Sequence, residues 1–244
     1  MVRVPKVGGL PREVSVLAAI AFCVALGFGI VIPAIPLFAR TFGVSAFAAS
    51  AVISVFAAMR LVSSPPAGWL VNRFGERIIM STGLAIVAVS SLFAGLATDY
   101  GQLLVLRGIG GTGSAMFTIS ATALLLRVTE PEYRGRASGL FQAGFLIGGV
   151  VGPAVGGLVI GISIRAPFFV YAGTLFAAFI VAVSLLPRLA KTEELNTGED
   201  ADRLSFLATL KLPAYQAALG ANFANGFVFF GLRSSLVPLF VVEG

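Results

Sequence analysis

Seven long apolar runs, separated by short polar breaks, make up most of this chain. They cover about residues 15–38, 46–69, 78–98, 100–125, 137–163, 166–187 and 214–242. A helix needs about 20 mostly apolar residues to cross roughly 30 Å of hydrocarbon, and every run meets that length. The runs are continuously apolar rather than alternating, which predicts helices that close their own backbone hydrogen bonds inside lipid. The first run follows Arg3, Lys6 and Arg12, as a signal peptide would. It is longer than a signal core and shows no small-x-small site before Pro33 and Pro36, so it reads as a retained first helix. The one extended polar stretch, Arg188 to Leu212, contains KTEELNTGEDADR and reads as a linker between six helices and a seventh.

Two strings repeat. Ser64 to Val71 reads SPPAGWLV and Gly152 to Val159 reads GPAVGGLV, which sets Pro65 on Pro153, Gly68 on Gly156 and Leu70 on Leu158 at an offset of 88. The same register carries Arg77 onto Arg165. The copies belong to the second and fifth runs, which cross in opposite directions, so the first six runs are expected to form two three-helix units of inverted topology. A second echo, Pro36-Leu37-Phe38 and Pro238-Leu239-Phe240, places Gly29 on Gly231 and makes the seventh run a second copy of the first. The expected organisation is a six-helix bundle over 1–187, a cytoplasmic linker over 188–213, and at 214–244 the opening helix of a second, parallel bundle. The remainder of that bundle is expected to be missing, as in a truncated chain.

Composition agrees. The chain is 57% hydrophobic and 11% charged, with a mean hydropathy of +0.97, whereas soluble domains carry about 25% charged residues. One set of alternate loops holds Arg3, Lys6, Arg12, Arg73, Arg77, Arg127, Arg134, Arg136, Arg188, Lys191, Arg203 and Lys211, and the other holds Arg40 and Arg165. That imbalance predicts a cytoplasmic N-terminus in a cell (plasma or inner) membrane. The net charge of +6 follows from orientation and attraction to anionic lipid, with no nucleic-acid partner required. One cysteine, Cys23, and no histidine argue against disulfides and metal clusters. No cofactor is expected, and the lack of a nucleophile–base pair argues against an enzyme.

Several strings carry candidate chemistry. Gly148, Gly152 and Gly156 recur every four residues on one helix face around Pro153, with Gly157 beside them; the pattern suits close packing or a hinge. Gly108, Gly110 and Gly113 match a dinucleotide fingerprint in form but lack the preceding strand, so packing is the expected role. Arg60, Arg107 and Arg233 lie within runs, where a charge costs at least about 2.5–3.5 kcal/mol. Arg107 shares a helical face with Gly111, Ser114 and Thr118; Asn222, Asn225, Phe229 and Arg233 form another polar face. Every acid lies in a loop or at a run's end. Glu130, Glu132, Arg134 and Arg136 are expected to form a salt-bridge cluster.

These strings resemble the major facilitator superfamily. GWLVNRFGER (Gly68 to Arg77) is similar to its cytoplasmic pattern G-x-L-x-D-R-x-G-R, with Asn72 in the Asp position. LRGIGGTGSA (Leu106 to Ala115) resembles its arginine–small-residue motif, GGVVGPAVGG (Gly148 to Gly157) its antiporter glycine–proline motif, and LGFGIVIPAIP (Leu26 to Pro36) its drug-exporter signature. The resemblance implies an all-α fold in which helices 1, 4 and 7 line a central cavity, and a secondary transporter working by alternating access. It further implies export of small amphipathic compounds, with a proton as the possible counter-ion. Substrate or coupling contacts would come from Arg60, Arg107, Ser114, Thr118, Asn222, Asn225 and Arg233. A cytoplasmic gate would come from Gly68, Asn72, Arg73, Gly75 and Arg77; uncharged Asn72 would latch it less firmly than Asp. The buried cations keep an organic-anion carrier open as an alternative, and the early end of the chain keeps open a non-transporting half-transporter or remnant.

Overall fold

The computed structural model describes residues 6–7, 9–186, 211–213, 216–217, 220–221 and 224. A two-residue hairpin, β1 (Lys6–Val7) paired antiparallel with β2 (Leu10–Pro11), leads into the helices. These are α1 (Arg12–Val31), α2 (Ala34–Arg40), α3 (Ala46–Phe74), α4 (Glu76–Gly95), α5 (Tyr100–Val128), α6 (Arg134–Ile162) and α7 (Ala166–Leu185). Pro33 breaks the first span into α1 and α2 but does not end it, and the span continues to Arg40. Six spans among the described residues are long and apolar enough to cross a membrane, and the chain is a multi-pass membrane protein. Backbone contacts divide the chain into Met1–Thr192 and Glu193–Gly244. Most of the seventh run, including Asn222, Asn225, Phe229 and Arg233, lies outside the described residues, as does most of the 188–213 stretch.

The 88-residue register governs the whole six-span unit. The span Arg12–Arg40 recurs as Tyr100–Val128, and α3, Ala46–Phe74, recurs as α6, Arg134–Ile162, with every boundary displaced by 88. Burial follows the same register. The buried residues of α7 are Pro167, Phe168, Tyr171, Ala172, Leu175, Ala178 and Ala182. Moved back by 88 they are Ile79, Met80, Gly83, Leu84, Val87, Ser90 and Ala94, all of them buried in α4. Neighbours follow it too. α1 packs on α6 and α7, its counterpart α5 packs on α3 and α4, and α4 packs on α7 across the axis relating the copies. This is a 3+3 inverted repeat.

Lipid gives helices no hydrophobic reason to associate, so contact rests on close backbone approach at small residues. In the parallel α1·α6 crossing a Cβ at Gly148 would stand 2.6 Å from the Phe22 carbonyl oxygen. At Gly152 it would stand 2.7 Å from Gly29 Cα, and at Gly156 2.6 Å from the Ile30 carbonyl oxygen. Gly144, one turn earlier, meets the Ala18 carbonyl in the same way. Gly157 faces open space. In the antiparallel α4·α5 crossing, Gly83 and Gly113 each abut the other's carbonyl.

Gly152→Val is therefore expected to lower stability by about 1–3 kcal/mol through overpacking, while Gly157→Val stays within about 0.5 kcal/mol of the parent. Unfolding in mixed detergent followed by circular dichroism checks the contrast; equal losses would mean that the α6 glycines do not set the crossing.

Candidate functional site

The most buried large polar side chain in the bundle belongs to α5. Asp99 caps that helix, accepting from the Gln102 N–H at 2.9 Å, which fixes where its face points. Asp99 is thereby an end cap rather than an interior acid. Two turns on, Arg107 is 1% exposed. Its guanidinium stands 4.5 Å from the centroid of the Phe56 ring on α3. Phe56 stacks on Phe28 of α1 at 5.6 Å, and Phe28 leans on Tyr171 of α7 at 6.1 Å. A line of rings from three helices thus runs beside the cation. Arg60, one turn beyond Phe56, donates from Nη2 to Thr118 Oγ1 at 3.0 Å, and Thr118 donates to the Ser114 carbonyl at 2.9 Å. Ser63 and Thr112 join the same helices by a 3.0 Å hydroxyl pair. The Tyr171 phenol lies within electrostatic reach of both guanidiniums.

Charge balance is unusual. Arg107 Nε and Nη1 are buried with no hydrogen-bond partner among the described residues. No carboxylate stands near the middle of a described span. Glu13 is in the first turn of α1, Glu76 opens α4, Asp99 caps α5, and Glu130 and Glu132 lie around the turn before α6. Ring faces supply part of what the cation lacks, since a guanidinium over an aromatic face gains about 0.5–2 kcal/mol. A buried unmade bond to a charged group costs more than that. The arrangement has spare donor capacity for an anionic group.

The repeat explains why the cations gather here. In the 88 register Phe56 falls on Gly144 and Arg60 on Gly148. Where α6 offers glycine and lets α1 touch its backbone, α3 offers a ring and a guanidinium. The glycine comes instead from α5, where Gly111 receives the Phe56 carbonyl and the Arg60 backbone nitrogen. One crossing is filled by backbone and its counterpart by the cation–aromatic cluster.

The remaining candidates lie at helix ends. Gly68, Asn72 and Arg73 belong to the last two turns of α3, not to a loop, because Pro65 and Pro66 are accommodated inside a helix that runs to Phe74. Gly75 alone forms the junction, at φ +88°, a conformation that favours glycine. Arg73 stands over the rings of Trp69 and Phe74 at 5.4 and 5.7 Å. Glu76 pairs with Arg127 at 2.9 Å, joining the start of α4 to the end of α5. Arg77 donates to the Val183 carbonyl of α7. The expected cluster of Glu130, Glu132, Arg134 and Arg136 does not form, and among the described residues no ion pair joins them. A 3-10 turn at Pro131–Tyr133 holds one acid and leaves the arginines on α6. The rings Phe28, Phe56 and Tyr171 and the Glu76–Arg127 pair were not picked out from sequence. In a chain with 21 phenylalanines, only the 88 register, which sets Phe56 and Arg60 on glycines, singles any of these out.

Phe56→Leu is expected to lower thermal stability by about 0.5–2 kcal/mol through loss of the ring beside Arg107. An unchanged melting profile would show that the ring does not support the cation.

The family model described as Major Facilitator Superfamily matches residues 17–244. The chain is 32% identical over 173 residues to multidrug resistance protein 2 of Bacillus subtilis (strain 168), covering 71% of this chain and 43% of that protein. It is 29% identical over 176 residues to the quinolone resistance protein NorA of Staphylococcus aureus (strain MRSA252), covering 72% and 45%. It thus spans less than half the length of these relatives. Its fold is similar to a crystal structure of a peptide transporter POT in complex with sulfate, with a TM-score of 0.68 at 18% identity over 96% of this chain and 48% of that one.

Proposed function

We propose, because this chain belongs to the major facilitator superfamily, that it supplies the N-terminal half of a secondary transporter that moves small amphipathic compounds out of the cell by alternating access. The drug-resistance names of its relatives support export, and the proton is the proposed counter-ion. The excess of arginine and lysine on the N-terminal side supports a cytoplasmic N-terminus. In this reading residues 188–213 are the cytoplasmic linker. Residues 214–244 open the second bundle and bring Asn222, Asn225 and Arg233 toward the solute. Arg107, Arg60, Ser114 and Thr118 contact or position the solute from the first bundle. Gly68, Asn72, Arg73, Gly75 and Arg77 form the gate, and Gly148, Gly152, Pro153 and Gly156 the hinge face, with Gly157 beside it but turned to open space.

The observation that carries the reading is Arg107, fully buried beside a line of rings with donors to spare. A charged or polar head on the guanidinium and an apolar body on Phe28 and Phe56 describe an amphipathic solute. The same observation favours a second reading, a carrier of organic anions, since no described carboxylate faces the site.

Vesicles carrying the chain together with a co-expressed C-terminal half, loaded in turn with ethidium and with carboxyfluorescein, separate these readings. The export reading predicts movement that follows an imposed pH gradient. Arg107→Gln is expected to reduce it about tenfold or more, the worth of a hydrogen bond to a charged group. Preference for carboxyfluorescein selects the anion carrier. Movement of neither dye contradicts transport and leaves the non-transporting partner.

A further inference from the structure

We propose that Arg77 and Arg165 are a matched pair of positioning residues. Each binds the C-terminal carbonyls of the other's helix, and together they lock α4 and α7 into one rigid unit at both membrane faces. Arg77 is the second residue of α4, and its Nη2 donates to the carbonyl of Val183, in the last turn of α7. Arg165 immediately precedes α7, and its Nη1 donates to the carbonyl of Gly95, the last residue of α4, at 3.2 Å. Arg165 follows Arg77 by 88 residues and Val183 follows Gly95 by 88. Donor and acceptor are therefore both images under the inverted repeat, and the two contacts are one interaction made twice. Because the repeat is inverted, one lies at the face where the N-terminus enters and the other at the far face.

The chemistry suits the place. The last four carbonyls of a helix have no partner within it and carry the negative end of its dipole. A guanidinium at the head of one antiparallel helix reaches the tail of its neighbour and answers both needs. Between the two ends, α4 and α7 bury matched positions, including Ala94 and Ala182, each 0% exposed. The far contact is also braced: Arg165 lies 5.1 Å from the centroid of the Phe38 ring, and Phe38 packs edge-on against Phe168 at 5.3 Å.

Clamping has a consequence within the bundle. Tyr171 of α7 packs against Gly27 of α1, where an added Cβ would lie 2.7 Å from the Tyr171 ring, and beside Phe28. Gly83, its image on α4, packs on Gly113 of α5. The locked pair therefore sets the height of both α1 and α5 contacts at once, and with them the place of Tyr171 near Arg107. This inference is independent of what the protein carries.

The test uses single cysteines at Ala182 and Ala94 in the full chain with Cys23→Ala, labelled by a water-soluble maleimide in nanodiscs. Arg77→Gln is expected to speed labelling at 182 by about tenfold and leave 94 unchanged; Arg165→Gln is expected to do the reverse. Arg77→Lys and Arg165→Lys should restore most protection, since lysine donates to the same carbonyls. Unchanged rates, or opening of both ends by either substitution, overturns the proposal. Should either cysteine prevent folding, deuterium uptake over 92–97 and 180–186 in the chain with native alanines reads the same two outcomes.

Discussion

The structure depends on how closely helix backbones can approach where hydrophobic burial gives them no reason to do so. In lipid the contact itself must supply the energy, through dispersion and weak polar contacts that fade within an ångström of separation. The α1·α6 crossing meets that demand with four glycines one turn apart, each brought against the carbonyl or Cα of its partner. Its location follows from the 88-residue register, and so does everything placed around it. The matched buried faces of α4 and α7 and the order of helix neighbours are consequences of one duplication folded back on itself.

The copies differ most at one crossing. A strictly repeated bundle would place glycine at 56 and 60 and close the α3·α5 crossing as α1·α6 is closed. Phenylalanine and arginine stand there instead, and α5 yields with Gly111. The result is a cation–aromatic cluster joining α3, α5, α1 and α7, with Arg107 at its most buried point. Keeping an arginine there without a carboxylate is costly. Two of its donors, Nε and Nη1, are left without a hydrogen-bond partner among the described residues.

Spans and repeat were legible from sequence because they rest on length and on exact residue matches. Each described span coincides within a few residues of its apolar run, and the offset found in one eight-residue string extends over six helices. Facing was not legible. When a helix is apolar all round, periodicity cannot separate lipid-facing from helix-facing positions, so Phe56 looked no different from Phe47, which is 87% exposed. Proline misled locally. Pro33 and Pro36 looked like the end of a span, and the second run, read to end near 69, fell short of the true helix end beyond Pro65 and Pro66. Membrane helices tolerate proline when neighbours satisfy the freed groups, and α3 runs on to Phe74. Charge pairing was also unreadable, because Glu76 and Arg127 are far apart in sequence and meet only through the α4·α5 crossing.

The inverted repeat at register 88 is tested most directly by the sidedness of positions 88 apart. Single cysteines at Phe47, Phe74, Gly135 and Ile162, all exposed ends of α3 and α6, are labelled in intact cells with a membrane-impermeant thiol reagent, in a chain with Cys23→Ala. The account predicts that 47 and 162 are labelled together from one side, and that 74 and 135 require access from the other. Labelling of 47 with 135, or of 74 with 162, from the same side would contradict it.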